Sequence, residues 1–263
     1  MALIDPSLLA ARLGFMAGRF DVDALDECDS TSRELTRRAD QGAPAGTVIV
    51  ADRQTAGRGR RGRTWLSAPA DSLTFSVLWR FTGPAWQLAG LSLAVGVALA
   101  RALDDLGARG VCLKWPNDVL LERDGDFAKL AGILVELTSD RRGTQAIIGI
   151  GLNLRPPAED LPQPAAGLTE AMTRPADRHV VLAGILAALG DVLTAFAVDG
   201  FTALKAEWSE RNAWQGLAVQ LVGDAGEGLG GTCLGADDDG ALLLETSTGV
   251  QRILSGDLSL RRA

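Results

Sequence analysis

Seven consecutive residues, Gly57-Arg-Gly-Arg-Arg-Gly-Arg63, hold four arginines and three glycines. No core tolerates that run, because a guanidinium is always charged and an unpaired buried charge is too costly to keep. A helix or strand interior does not suit it either, since glycine loses more backbone freedom on ordering than any other residue. The run is therefore a loop. It must connect two apolar, strand-like segments, Thr47–Ala51 and Leu73–Trp79. Four like charges on so pliable a backbone repel one another, which predicts mobility until an anion arrives. Guanidinium forks grip phosphate or carboxylate in pairs of hydrogen bonds, and glycines let backbone N–H groups come close. A small phosphate-bearing ligand and a nucleic-acid backbone are both open at this point.

Charge weighs on that choice. The chain has 26 Lys and Arg against 33 Asp and Glu, a net charge of −7, which argues against coating nucleic acid through overall charge. Its 263 residues, 47% hydrophobic and 22% charged, suit one large domain or a large and a small one and exclude global disorder. Cys28, Cys112 and Cys233 lie far apart, which excludes a disulfide framework and a cysteine zinc site of ordinary spacing. One histidine, His179, excludes a multi-histidine mechanism or metal site, and its position predicts a surface or helix-start residue. No metal-ligating residues emerge. Met1–Pro6 lacks a basic leader, and Leu88–Ala100, read as the longest apolar stretch, stops at Arg101. A bilayer span needs about 20 residues. The expectation is a soluble, cytoplasmic protein.

Along the chain, a short helix with Leu8, Leu9 and Leu13 on one stripe occupies residues 1–20 and is too short for a DNA-binding module. A weak strand follows at Asp21–Cys28. Thr31-Ser-Arg-Glu34 fits a capping box and predicts a helix to about Asp40, broken by Gly42–Gly46. Trp86–Leu106 reads as a buried helix ended by Gly107. Strands are expected at Val111–Lys114, Leu130–Leu137 and Gln145–Leu154, with Asp124-Gly125 as a turn. Proline-rich Pro156–Pro164 crosses the surface, and helices follow at about Val180–Val198 and Thr202–Trp214. Beyond Leu217 the pattern becomes short β runs at Ala218–Val222, Gly230–Leu234, Ala241–Glu245 and Arg252–Leu254, separated by Gly/Asp turns. A small β-barrel is expected there, which divides the chain into residues 1–214 and 215–263.

Three further features could carry chemistry. Lys114 stands in Lys114-Trp-Pro-Asn-Asp118 amid Val111, Leu113 and Trp115. A buried ammonium needs an anion, whereas an edge-strand lysine would simply reach solvent, and the turn-like Pro116-Asn-Asp leaves both open. Ser30-Thr-Ser32 reads either as a helix cap or as a cluster of short hydrogen-bonding groups. Gly132 within Leu130-Ala-Gly-Ile-Leu-Val-Glu136 marks a bulge or a close ligand. No G-x-x-x-x-G-K-[ST] loop is present, and Gly149-Ile-Gly-Leu-Asn153 is not a dinucleotide fingerprint.

Taken in order, these strings resemble those of the biotin protein ligases: Ser30–Ser32, Ala51–Trp65, Lys114–Asp118, Leu130–Glu136, Gly149–Asn153, Gly240–Glu245 and Gly256–Arg261. The resemblance covers nearly the whole chain from about residue 20 and is closest to members without an N-terminal DNA-binding domain. It implies an α/β fold: a mixed-sheet catalytic domain resembling class II aminoacyl-tRNA synthetases, followed by an SH3-like β-barrel. It also implies a two-step reaction. Biotin and ATP, with Mg2+, give biotinyl-5′-AMP, and biotin then passes to one lysine of a biotin carboxyl carrier domain. No DNA or membrane partner is implied, and a homodimer is one assembly open to such a chain.

The same resemblance assigns residues. Ser30, Thr31, Ser32 and Gln54 match positions around the biotin ureido ring, with Ser32 where the family often has Asn. Arg58, Gly59 and Arg60 match the part of the loop that folds over biotin and the adenylate phosphate, and Arg61 and Gly62 continue it. Lys114 matches a lysine near the biotin carboxylate and α-phosphate, which with Arg60 makes the catalytic pair. Asp257 and Arg261 match tail positions at ATP. Trp65, Trp79 and Trp115 are the candidates to stack on adenine. Two rivals are a lipoate-type ligase, against which the intact arginine loop and Lys114–Asp118 argue, and a non-catalytic nucleic-acid-binding protein, against which the net charge argues.

Overall fold

Alternation of apolar residues becomes a seven-stranded mixed sheet in the computed structural model, which describes residues 2–158, 163–175, 177–222, 228–254 and 259–262. In chain order the first part comprises α1 (Pro6–Leu13), β1 (Asp21–Cys28), α2 (Thr31–Asp40), β2 (Thr47–Gln54), β3 (Ser72–Phe81), α3 (Leu91–Asp105), β4 (Val111–Lys114), β5 (Asp118–Arg123), β6 (Asp126–Asp140), β7 (Gly143–Asn153), α4 (Leu168–Ala171), α5 (Arg178–Asp199) and α6 (Lys205–Arg211). The strands lie in the order β1-β2-β3-β7-β6-β5-β4. β1 runs parallel to β2, and the other neighbours are antiparallel.

Side chains alternate between faces along each strand, so the two faces separate cleanly. Val48, Val50, Phe75, Val77, Ile148 and Ile150 enter the main core, where α3 and α5 pack on each other and on the sheet. On the other face Ile49, Leu78 and Ile147 meet Leu35 of α2. Further along that second face the same alternation places Gly132, Gly149 and Gly151, from which no side chain rises. α2 covers one part of the face, and these glycines leave a low floor beside its first turn.

Several expectations are corrected here. Asp118–Arg123 is a strand, although the proline and turn residues around it suggested only a connection. The helix expected from Trp86 begins at Leu91, after Gly90 at φ 79° breaks it from a preceding 3-10 turn. The expectation that no apolar segment reaches the length of a bilayer span does not hold. The 22-residue α5, like the segment Ala85–Asp105, is long and apolar enough to cross a membrane, yet 56% and 67% of their apolar windows are buried within the fold. His179 is a helix-start residue. Asp177 caps α5 through the backbone N–H groups of His179 and Val180, and the His179 ring accepts a bond from the Asp5 N–H at 2.9 Å.

A second, antiparallel sheet contains β8 (Ala218–Val222), β9 (Gly228–Ala236), β10 (Leu242–Thr246), β11 (Gly249–Ile253) and β12 (Ser259–Arg262), in the order β11-β10-β9-β8-β12. β12 was not foreseen. The sheet seats on the first part where Gly240 meets Gly90. A β-carbon on Gly240 would lie 2.6 Å from the Gly90 Cα, and the Trp115 indole donates to the Gly240 carbonyl at 3.1 Å.

Candidate active site

A cleft of about 680 Å³ opens over the glycine floor. It is lined by the first turn of α2, the end of β2 with the arginine loop, the β4–β7 strands, residues around Pro157 and Pro164, Trp214, and the end of β12.

At the α2 end, Ser30, Thr31 and Ser32 are all buried. The capping box expected at Thr31 and Glu34 does not form. The helix starts one residue earlier, with Ser30 as its cap position making no side-chain capping bond, and Glu34 instead binds Arg37 and Arg38. That frees the short hydroxyls for other work. Gln54 Oε1 accepts from the Thr31 backbone N–H at 2.8 Å and from Thr31 Oγ1 at 3.2 Å. An N–H can face only the oxygen of that amide, so the Gln54 NH2 group is turned away from Thr31.

The arginine loop lies across the mouth. The Trp65 N–H donates to the Gly57 carbonyl at 3.0 Å, and the Gly59 N–H donates to Arg63 at 2.7 Å. Gly57 is required there, because a β-carbon would lie 2.3 Å from the Trp65 carbonyl oxygen. Arg58 grips Glu136 of β6 with both nitrogens, at 2.8 and 3.2 Å, and Arg60 donates to Asn117 Oδ1 at 3.2 Å. Arg61 and Gly62 both turn through positive φ, 59° and 68°.

Beneath the loop stands a charge cluster. Asp118 is paired across the β4–β5 hairpin with Lys114, whose ammonium is 3.2 Å away, and Lys129 of β6 binds its other oxygen at 2.6 Å. Burial disfavours a charged Asp118, but Lys129 and Lys114 hold its pKa below the ordinary carboxylate value. Burial pushes Lys114 below the ordinary lysine value, with Asp118 opposing. Two cations share one anion, so the cluster carries surplus positive charge toward the cleft.

Lys129 escaped the sequence reading for a definite reason. Strict alternation from Gly132 would place residue 129 on the core face. The register of β5 against β6 shifts between Val119 and Leu120, with Gly132 opposite Asp118 but Lys129 opposite Leu120. The extra residue turns Lys129 onto the cleft face. Asn117 and Asn153 were missed as well. Both line the cleft, with Asn117 tied to the Ile133 carbonyl and Asn153 to those of Lys129 and Ala166.

Of the three tryptophans expected to stack on adenine, Trp65 lies on the floor: a β-carbon on Gly151 would sit 2.2 Å from its ring. Trp115 is fully buried, and Trp79 packs with Arg19 away from the cleft. Arg261 reaches the rim, whereas Asp257 lies outside the described residues. Among the described residues, no group of three or more His, Cys, Asp or Glu side chains could hold a metal ion.

Comparisons with known proteins point the same way. Residues 26–153 match the biotin/lipoate A/B protein ligase family, and residues 218–261 match the biotin protein ligase C terminal domain. The chain is 31% identical to the biotin–[acetyl-CoA-carboxylase] ligase of Mycobacterium tuberculosis, over 97% of its own length and 95% of the relative's. It is 33% identical to the bifunctional ligase/repressor BirA of Bacillus subtilis, over 90% of its length and 72% of the relative's. A solved structure of biotin protein ligase from Aquifex aeolicus, in complex with biotin and ATP, matches with a TM-score of 0.77 and 33% identity, covering 92% of this chain and 99% of that one.

Proposed function

The chain belongs to the biotin protein ligase family, and we infer from that membership and from its cleft that it is an ATP-dependent biotin ligase. In the first step a carboxylate oxygen of biotin bonds to the α-phosphorus of ATP. The bond to pyrophosphate breaks, leaving biotinyl-5′-AMP. In the second step a lysine amine of a carboxylase's carrier domain attacks the anhydride carbonyl, loses a proton, and AMP leaves.

Within this reading the polar niche at Ser30, Thr31, Ser32 and Gln54 receives the ureido ring, which offers two N–H donors and one carbonyl. Lys114 and Lys129 face the carboxylate and α-phosphate, Arg58 to Gly62 close over them, Trp65 stacks on adenine and Arg261 reaches the nucleotide from the rim. The observation that carries the reading is the surplus cation of the Lys114–Asp118–Lys129 cluster on the cleft floor. Two anions 4 Å apart repel by about 1 kcal/mol in water and by several-fold more in a dry site. A cation held on strands offsets that repulsion without reorganising, so no covalent nucleophile is needed. Asp118 is already bound by two lysines, so the described residues do not form a magnesium site of their own, and Mg2+ enters this reading with the phosphates of ATP.

The same reading takes residues 1–214 as a class II synthetase-like catalytic domain and 215–263 as an SH3-like barrel in a soluble cytoplasmic protein. DNA binding is no part of it. The direct test is single-turnover pyrophosphate release: it is expected with biotin and Mg-ATP together, and release that does not depend on biotin would contradict the reading.

The loop's role as a lid has its own test. Trypsin is expected to cut after Arg58, Arg60 or Arg61 quickly in the empty protein and slowly with biotinyl-AMP, because an ordered, covered loop resists cleavage. Glu136→Gln, which removes the Arg58 clasp, speeds cutting of the empty protein. Equal rates with and without saturating ligand would remove the lid role.

A further inference from the structure

Behind the ureido niche stands a residue that the cleft wall does not include. Ser76 of β3 is fully buried, and its hydroxyl lies 2.8 Å from Thr31 Oγ1 and 3.0 Å from Ser32 Oγ. It joins four side chains into one chain of hydrogen bonds: Gln54, Thr31, Ser76 and Ser32. Gly149 completes the enclosure, since a β-carbon there would lie 2.7 Å from Ser32 Oγ.

Such a chain has a direction. The Gln54 oxygen faces Thr31 and can only accept, so the Thr31 hydroxyl spends its one proton on Gln54. Thr31 must then accept from Ser76. Having donated to Thr31, Ser76 can only accept from Ser32. Ser32 donates inward and is left with oxygen lone pairs toward the cleft. A ureido ring presents N–H donors on its two flanks, and an acceptor is what they require. A hydroxyl whose own proton pointed outward would oppose them.

We propose that Ser76 is a positioning residue for biotin, fixing the proton direction along Gln54–Thr31–Ser76–Ser32 so that Ser32 meets a ureido N–H as an acceptor. The proposal rests on the ureido reading of this niche. It names a residue that does not touch substrate and sets which ring the niche selects. Without the Ser76 hydroxyl, Ser32 loses its inward acceptor and is free to turn its proton outward. A buried polar group left facing the wrong partner costs more than the bond it replaces is worth.

The test compares biotin with its two cyclic-carbamate analogues, each having oxygen in place of one ureido N–H. Affinities are measured by calorimetry for the full-length protein and for Ser76→Ala and Ser76→Cys, each checked for a native melting transition. Cysteine keeps the shape of serine but is a weak donor, so a space-filling role for Ser76 would leave its behaviour unchanged. The parent is expected to prefer biotin over one analogue by roughly 100-fold, the upper part of what leaving one buried acceptor without its N–H costs. In both variants biotin binding weakens roughly 10-fold while that analogue is barely affected, so the preference shrinks by the same factor. A preference that stays at the parental value in a folded variant overturns the proposal, as does loss of fold in both variants. If the parent binds no biotin, the ureido reading falls first and the proposal with it.

Discussion

Lys114→Ala and Lys129→Ala are each expected to slow adenylate formation by about 10²–10³-fold, the size of effect seen when one preorganised charge-stabilising donor is lost. With both lysines present, one positive charge is left over after Asp118 is neutralised. Removing either lysine lets the other pair with Asp118, and the surplus disappears. The two variants should therefore resemble one another, although Lys114 is the more buried of the pair. Biotin affinity changes less, because the charge they meet develops mainly as the carboxylate reaches phosphorus. Asp118→Asn keeps both cations and loosens their positions, so its effect is expected to be only about 10-fold. Single-turnover pyrophosphate release separates the two alanine variants from Asp118→Asn. If both alanine variants form adenylate at the parental rate, the lysines serve packing and the electrostatic account of the first step fails.

Arg60→Ala is expected to act on a different event. Arg60 belongs to the loop across the cleft mouth, tied there by Asn117 and by the Arg58–Glu136 clasp, so on this reading it covers the adenylate from the open side and does not stand beneath it as the lysines do. The finished adenylate should then leave about 10–100-fold faster, the equivalent of losing one charge-assisted hydrogen bond of about 1.5–3 kcal/mol. Its formation should slow less than in the lysine variants. Retention of labelled biotinyl-AMP through rapid gel filtration reads this directly, and parental retention by Arg60→Ala would show that Arg60 does not hold the phosphate.

Much of this site was legible because its chemistry is local in sequence. The arginine–glycine run could only be a loop, and Lys114 reaches its carboxylate within its own hairpin, since Asp118 stands directly opposite it. The glycines at 132, 149 and 151 were visible as anomalies in apolar strands, although only the sheet shows that they form one floor. What stayed hidden depends on register and on packing between distant segments. One extra residue in β6 brings Lys129 to the cleft, and simple alternation points it the other way. Ser76 looks like any small residue in a strand until α2 sets Thr31 and Ser32 above it. The capping box at Thr31 and Glu34 misled in the opposite sense. Its residue types fit, but Glu34 finds two arginines one turn further on, at 2.7 and 2.8 Å. In the second sheet β12 was missed because it is four residues long and pairs with β8 some forty positions earlier.

A lipoate-type ligase would share the adenylation chemistry and the family model that covers residues 26–153. On the proposed reading, the niche around Gln54 and Ser32 is what separates the two. A lipoyl ring has no N–H or carbonyl to offer these buried groups, and leaving them unpaired would weaken binding.

The account is tested most directly by the mass of an acceptor. The full-length protein is incubated with biotin, Mg-ATP and a biotin carboxyl carrier domain, and the carrier is weighed before and after. The account predicts one biotinyl addition, on one lysine, that requires both biotin and ATP and is absent when lipoate replaces biotin. An unchanged mass across several carrier domains, with an enzyme shown to be folded, would contradict it.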